Sequence, residues 1–350
     1  MNRILEEDLL NIIEQPVSWE KLYGKNVMVT GASGMVGSYF VRTMLKLNET
    51  RDAGIHVVCV VRNTKKLGED IVSDPNVEIL SHDVTKSFDY EGRIDHIIHA
   101  ASPASPLIMK DDPVGTIAAN VLGTYNTLEL ARKKGSEGYM FISSREIYGQ
   151  PSESQEFFTE ETYGFVDPLD PRSCYPEGKK AAETMCVSYR AQYGLNAKVA
   201  RLAHTYGPGM SIYDGRVQAD FLKNVVFHED ILMKSEGLPV RTYTYIADAV
   251  AGMFMILLNG EETAYNIGDE NAKISIRGLA ELLVKITPER NLTVKFDIPE
   301  GGTKGCAPFT LGILDSSKLR GLGWKPSRTI EEGFGRTIQY LEIERENGRL

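Results

Sequence analysis

Asn26-Val-Met-Val-Thr-Gly-Ala-Ser-Gly-Met-Val-Gly37 decides how this chain is read. Its first five residues form a mostly apolar run of strand character, and Gly31, Gly34 and Gly37 then follow at three-residue spacing. Where a strand turns through such glycines into a helix, backbone can approach a pyrophosphate and the helix presents free N–H groups and its positive end. A glycine turn can also be only a tight turn. The strand-turn-helix setting favours a dinucleotide cradle built from Gly31, Ser33, Gly34, Met35, Val36 and Gly37.

Working outward, the helix after the turn should end near Leu47 and a second strand follow at His56–Val61, which completes one βαβ unit. Further strands are expected at Val77–Leu80, His96–His99, Tyr139–Ser143 and Ala197–Leu202, with helices at Gly115–Lys134 and Gly178–Tyr193. This alternation predicts an α/β protein with a Rossmann-type, doubly wound parallel sheet. After about residue 205 the pattern breaks into shorter elements and Gly/Pro/Asp-rich loops, the mark of a smaller C-terminal substrate-binding lobe. The expected divisions are 1–24, a helical extension over residues 3 to 23 with Leu5, Leu9, Ile12 and Ile13 on one face; 25–204, the dinucleotide-binding domain; and 205–350, mainly the substrate lobe, interleaved with the sheet.

With 350 residues, 42% of them hydrophobic, the chain can bury a substantial core. A net charge of −9 without a basic block argues against nucleic acid or an anionic membrane surface as partner. Charges run through the first ten residues and no apolar stretch approaches a membrane span, so a cytoplasmic location is expected. Cys59, Cys174, Cys186 and Cys306 lack metal-ligand spacing and read as reduced thiols; no metal site is expected.

Tyr175 and Lys179, four residues apart in Ser-Cys-Tyr-Pro-Glu-Gly-Lys, would share one helix face. A lysine ammonium there could lower the tyrosine pKa from about 10 toward neutrality and make it a general base. Such a pair is also a common amphipathic surface pair. Ser144, at the carboxyl end of its predicted strand, would lie where open α/β sheets place ligands and could bind a substrate hydroxyl with Tyr175. Arg62 closes the second strand where an acid would accept bonds from the adenosine ribose of NAD. An arginine there, with Lys65 and Lys66 nearby, can instead pair with a 2′-phosphate, which slightly favours NADP over NAD; otherwise it is a solvated strand-end charge. Asp83, after the third strand, is placed to meet the adenine edge.

Gly31-x-x-Gly-x-x-Gly37, His99-Ala-Ala-Ser-Pro-Ala-Ser-Pro106, Ser143-Ser-Arg-Glu-Ile-Tyr-Gly149 and Tyr175-x-x-x-Lys179 together resemble the extended short-chain dehydrogenase/reductases that modify nucleotide sugars, the NAD(P)-dependent epimerase/dehydratase family, over about residues 25–345. Within it, Pro171-Arg-Ser-Cys-Tyr-Pro-Glu-Gly-Lys179, Thr205-Tyr-Gly-Pro-Gly-Met210 and Asp214-Gly-Arg-Val217 are most similar to UDP-glucuronate decarboxylases. The resemblance implies a nucleotide-diphosphate sugar substrate, hydride transfer at sugar C4, and a homodimer formed through the helices at Gly115–Lys134 and Gly178–Tyr193. By it, Tyr175 is the base, Ser144 orients the hydroxyl, Lys179 holds the nicotinamide ribose, and Glu146 contacts the C5/C6 region. Val84, Ala100, Ala101, Ser102 and Asn120 join Arg62, Asp83, Tyr175 and Lys179 on the cofactor side. Ser102, Ser144, Arg145, Glu146, His204, Arg216 and Arg241 form the substrate side.

The chain departs from that pattern at four places. Arg145 stands where decarboxylases tend to carry a small hydroxyl residue and 4,6-dehydratases an aspartic acid; it could clamp a substrate carboxylate or neutralise Glu146. His204 stands at a frequent asparagine position, Thr303–Gly312 lacks an Arg-x-Pro-Asp pattern, and Arg62 replaces the ribose-binding acid. Three reactions remain open: decarboxylation, NADPH-dependent reduction of a nucleotide-linked 4-keto-6-deoxyhexose such as dTDP-4-keto-6-deoxyglucose, and 4-epimerisation. A catalytically silent nucleotide-sugar or NADP(H)-binding protein is the alternative of another class. Asp248 reads as a structural acid at a helix start, and Tyr243 and Tyr245 as core or pocket walls.

Overall fold

Asn26–Thr30 forms β1, buried from Val27 onward, and it lies inside the sheet rather than at its edge. The computed structural model describes residues 2–151, 155–298 and 313–350. The other sheet strands are β2 (His56–Val61), β3 (Val77–Ser81), β4 (His96–His99), β5 (Gly138–Ser144), β6 (Ala197–Leu202) and β7 (Ala264–Ile267). Their order is β7-β6-β5-β4-β1-β2-β3, with every ladder parallel. The chain winds outward through β2 and β3 and then returns to the other side of β1, so the winding reverses between β1 and β4. The crevice above that pair is where a doubly wound sheet receives its ligand.

The main helices are α1 (Arg3–Ile13), α2 (Met35–Arg51), α3 (Pro113–Lys134), α4 (Cys174–Tyr193), α5 (Ile246–Asn259) and α6 (Ile330–Glu346). α5 is buried from Ile246 through Leu258, which explains its continuous apolar sequence. α1 packs on α2, α5 and α6. The buried Asp8 of α1 fastens this contact by accepting from the Tyr39 hydroxyl (2.9 Å), the Tyr245 hydroxyl (2.7 Å) and Arg336 (2.7 Å). Burial pushes the Asp8 carboxyl above its ordinary range, and these three donors oppose the shift. The segment after β6 forms a small sheet of His204–Tyr206, Val240–Tyr245 and Lys273–Ser275, together with the helix Val217–Val226, while β7 returns to the main sheet.

Several element boundaries differ from the sequence expectations. The N-terminal helix stops at Ile13, two residues before the Gln15-Pro16 pair, and a separate single turn follows at Trp19–Leu22. α2 runs on to Arg51, where Asp52 at φ 50° ends it in the left-handed conformation. α4 begins at Cys174 rather than Gly178, because Pro176 is tolerated in a first helical turn. Tyr175 therefore sits at the very start of its helix. Cys59, Cys174 and Cys186 are free thiols, and Cys306 lies outside the described residues. Among the described residues no helix is long and apolar enough to cross a membrane, and no cluster of His, Cys, Asp or Glu is arranged to hold a metal.

Candidate active site

Gly31 leaves β1 with φ +67°, and a Cβ there would lie 2.8 Å from the Ala100 carbonyl oxygen and the Ala101 nitrogen at the end of β4. A side chain at Gly37 would overlap the Gly31 carbonyl oxygen. The β1 turn, the β4 end and the first turn of α2 are thus packed backbone against backbone, as only glycine allows. Gly34 is the N-cap of α2 and no side chain covers the helix end. Thr30 Oγ1 and His99 Nδ1, 2.7 Å apart, tie the two strand ends together. These features fit a dinucleotide pyrophosphate, with the α2 N–H groups of Met35, Val36 and Gly37 at the turn.

A cleft of about 530 Å³ opens from this turn to the small lobe. Gly31, Ser33, Gly34, Met35, Val36, Gly37, Ala100 and Ser102 line one end, and Ser144, Arg145, Glu146, Tyr175, Lys179, His204 and Arg216 line the rest. Asn120 is wholly buried and donates to Thr116, while its side-chain oxygen accepts from Ser102 at 2.8 Å. It holds Ser102, which lines the cleft, and is not itself among the lining residues. Val84 is buried beside Gly123, and Ala101 is outside the cleft wall. Arg62 is exposed at the end of β2 near Asp83, whose carboxylate accepts from Thr85 N and Oγ1 at 3.0 and 2.9 Å. Those Thr85 hydrogen bonds, more than the Arg62 charge, hold Asp83 below its ordinary range.

On α4, Tyr175, Lys179 and Glu183 follow at i, i+4 and i+8. Lys179 Nζ donates to the Ile142 carbonyl at 2.6 Å and lies 4.6 Å from the centre of the Phe141 ring. Glu183 accepts from Ser143 Oγ at 2.5 Å and from Arg201 at 2.7 Å, and Arg201 also donates to the Tyr148 hydroxyl at 2.9 Å. This network fixes the end of β5, and so Ser144, against α4. Sequence reading gave Glu183 no part, although its spacing from Lys179 was visible.

Tyr175 differs from expectation in its electrostatics. Its pKa is raised to about 12, first by burial and then by the Glu146 charge, against opposing pulls from Ser144, Arg216 and Arg172. Lys179 does not offset this, because burial drives its own pKa down to about 7. The i, i+4 spacing brings the two side chains together but does not by itself make Tyr175 acidic. His99 is also pushed down, to about 3, by burial and then by Lys179.

Glu146 accepts from Arg172 at 2.9 Å through Oε1, while Glu146 Oε2 and Arg172 Nη1 are buried without a hydrogen-bond partner among the described residues. Arg172 was not singled out in the sequence; it lies three residues before Tyr175, and only the fold brings it to Glu146. Arg145 is 6% exposed, and no described residue makes a hydrogen bond or ion pair with its guanidinium. Burial and then the neighbouring Arg241 lower its pKa to about 9. His204 is pushed well below its ordinary value by burial and by Arg145, Arg241 and Arg216 in turn, and its Nε2 is buried without a partner among the described residues. Arg216 donates to the Ala104 carbonyl at 3.0 Å; Arg241 is not among the residues that line the cleft, although its charge acts on Arg145 and His204. Asp248 is structural, accepting from Ser327 N and Oγ at 2.9 and 2.6 Å. Thr303–Gly312 lies outside the described residues.

A model of the NAD-dependent epimerase/dehydratase family matches residues 27–268. UDP-glucuronic acid decarboxylase 6 of Arabidopsis thaliana is 34% identical over 326 residues, covering 91% of this chain and 90% of its own length. UDP-glucuronic acid decarboxylase 1 of Xenopus tropicalis is 32% identical over 330 residues, covering 92% and 73%. Among solved structures, a UDP-glucose 4-epimerase from Thermotoga maritima with UDP-glucose matches with a TM-score of 0.76 and 25% identity, over 91% of this chain and 99% of that one.

Proposed function

This chain belongs to the NAD-dependent epimerase/dehydratase family, and within it we propose a reaction like that of the UDP-glucuronate decarboxylases: oxidation of a nucleotide-linked sugar acid at C4, loss of its C6 carboxylate, and re-reduction at C4. The observation that carries this reading is the meeting of Ser144, Tyr175 and Lys179 with the glycine turn in one cleft that Arg145, Arg172 and Arg216 also line. The names of the two sequence relatives support it.

Gly31–Gly37 and Lys179 would hold the dinucleotide. When bound, the dinucleotide would supply the hydride acceptor and donor for C4 and, in its oxidised form, a positive charge that favours the tyrosinate. Ser144 holds the substrate hydroxyl, and Tyr175 Oη takes its proton and later returns it. A ketone at C4 leaves the C6 carboxylate β to a carbonyl, so the C5–C6 bond breaks, carbon dioxide leaves, the bond's electrons pass through C5 into the C4 enolate, and C5 takes a proton from water to restore the ketone before hydride returns. Glu146 Oε2, which has no hydrogen-bond partner among the described residues, would meet that region. Arg216 is the ligand for the diphosphate. A second hollow of about 430 Å³, lined by Val217, Phe221, Leu232 and Met233 among others and starting one residue after Arg216 in the chain, takes the nucleoside.

Arg62 supports use of NADP as well as NAD, and Arg62→Asp should shift relative affinity toward NAD. The same residue favours a second reading, an NADPH-dependent reductase of a 4-keto-6-deoxy sugar; 4-epimerisation would need the ketone to turn before hydride returns. The test is incubation with UDP-glucuronate and each cofactor, following product mass and nicotinamide absorbance. Carbon dioxide loss to a UDP-pentose without net cofactor change is expected. Intact UDP-glucuronate, with one NADPH consumed for each dTDP-4-keto-6-deoxyglucose reduced, would overturn the decarboxylase reading.

A further inference from the structure

Arg145 is the most anomalous charge in the cleft. A guanidinium is rarely buried without an acid, because desolvation costs more than the protein recovers unless hydrogen bonds and opposite charge replace water. At 6% exposure, Arg145 has no hydrogen bond or ion pair with any described residue, and the opposite charge acting on it is that of Glu146. The obvious internal partner is its chain neighbour Glu146, but that carboxylate is bound to Arg172 at 2.9 Å. Arg241 and His204 nearby supply no negative charge: Arg241 is a second cation, and His204 is kept neutral by burial and by the surrounding arginines. The fold therefore holds a desolvated positive group, without a hydrogen-bonded acid among the described residues, on the wall of a cleft.

Position says which part of a ligand would answer it. Arg145 stands between Ser144 and Glu146 in the chain, and all three line the same cleft as Tyr175, on the side where the sugar ring would lie. Arg216, on the small lobe, is placed separately for the diphosphate. Resting on the nucleotide-sugar reading, we propose that Arg145 recognises a carboxylate on the sugar ring itself, so that the cleft selects nucleoside-diphosphate-linked sugar acids over their neutral counterparts. A planar carboxylate matches the two-pronged guanidinium, whereas a neutral hydroxymethyl at the same place would leave the buried charge unpaired. Discrimination then comes as much from refusing the neutral sugar as from attracting the acid.

Calorimetric binding of UDP, UDP-glucose and UDP-glucuronate to the whole protein and to Arg145→Ser tests this without relying on turnover. The wild type should bind UDP-glucuronate at least about tenfold more tightly than UDP-glucose, as expected for one charge-assisted contact in a desolvated site. In Arg145→Ser that preference should fall close to unity while UDP affinity changes less than about threefold. Thermal unfolding gives an independent check: relieved of an unpaired buried charge, ligand-free Arg145→Ser should melt no lower than wild type, and UDP-glucuronate should stabilise it less. Equal losses for all three ligands would make Arg145 a diphosphate or structural residue and overturn the proposal. So would UDP binding in the wild type with no advantage for the carboxylate. If none of the three binds the wild type, the proposal and the UDP-sugar reading fail together.

Discussion

Tyr175 is asked to exchange a proton from a site that raises its pKa to about 12, so its chemistry depends on positive charge gathered around it. Tyr175→Phe keeps the ring and its packing but removes the exchanging oxygen. It should lower turnover by about 10²–10⁴ while cofactor affinity stays within about twofold, measured by steady-state rates beside a binding titration. Asp248 gives a prediction without catalysis. Burial raises its pKa from 3.8 to about 6, so the folded state binds more protons than the unfolded between those values. Its contribution to stability is full below 3.8 and is lost as pH rises through about 6. Both Ser327 bonds reach the same oxygen, which an amide also offers. Asp248→Asn should therefore gain on wild type as pH rises through this range, by on the order of 1–3 kcal/mol in urea unfolding. The Tyr175/Lys179 spacing was legible because it is local. The Glu146–Arg172 pair was not: 26 residues separate its members, and only the fold decides that Arg172, rather than Arg145, takes the acid.

At the scale of elements, the turn between β1 and α2 shows which glycines the fold requires. Gly37→Ala would drive a methyl into the Gly31 carbonyl oxygen, displacing the cradle. It should cost about 1–3 kcal/mol and weaken cofactor binding by at least about tenfold. Gly335 in α6 is the contrast, because a Cβ there meets nothing within 4 Å and the helix would welcome alanine. Gly335→Ala should stabilise by up to about 1 kcal/mol in the same unfolding assay. The strands were readable as apolar runs bounded by turn residues. The helix ends were not, because they depend on small local choices: Pro113 opens α3 under an Asp112 cap, and Pro176 sits inside the first turn of α4.

The whole molecule carries a net charge of −9 yet gathers Arg145, Arg172, Arg216 and Arg241 around one cleft. That concentration suits an anionic substrate, and composition alone concealed it. The outer side of α3, which packs on α4, leaves Ile117, Leu122 and Tyr125 exposed at 37–49%. Apolar side chains grouped in this way suit a subunit interface. Light scattering should give the mass of a dimer, and Leu122→Glu with Tyr125→Glu should give a monomer that keeps its fold; a monomeric wild type would contradict the interface. The doubly wound sheet was legible from strand and helix alternation. The return of β7 to that sheet across the small lobe was less so, since Ala264–Ile267 is a short run that gains its meaning only beside β6.

The measurement that tests the central claim most directly uses UDP-glucuronate carrying deuterium at C4, with the product examined by nuclear magnetic resonance. If Ser144, Tyr175 and Lys179 direct hydride away from C4 and back within one turnover, the UDP-pentose will carry deuterium at C4. A pentose with protium at C4, or a substrate that stays unchanged beside protein competent to bind it, would contradict the account.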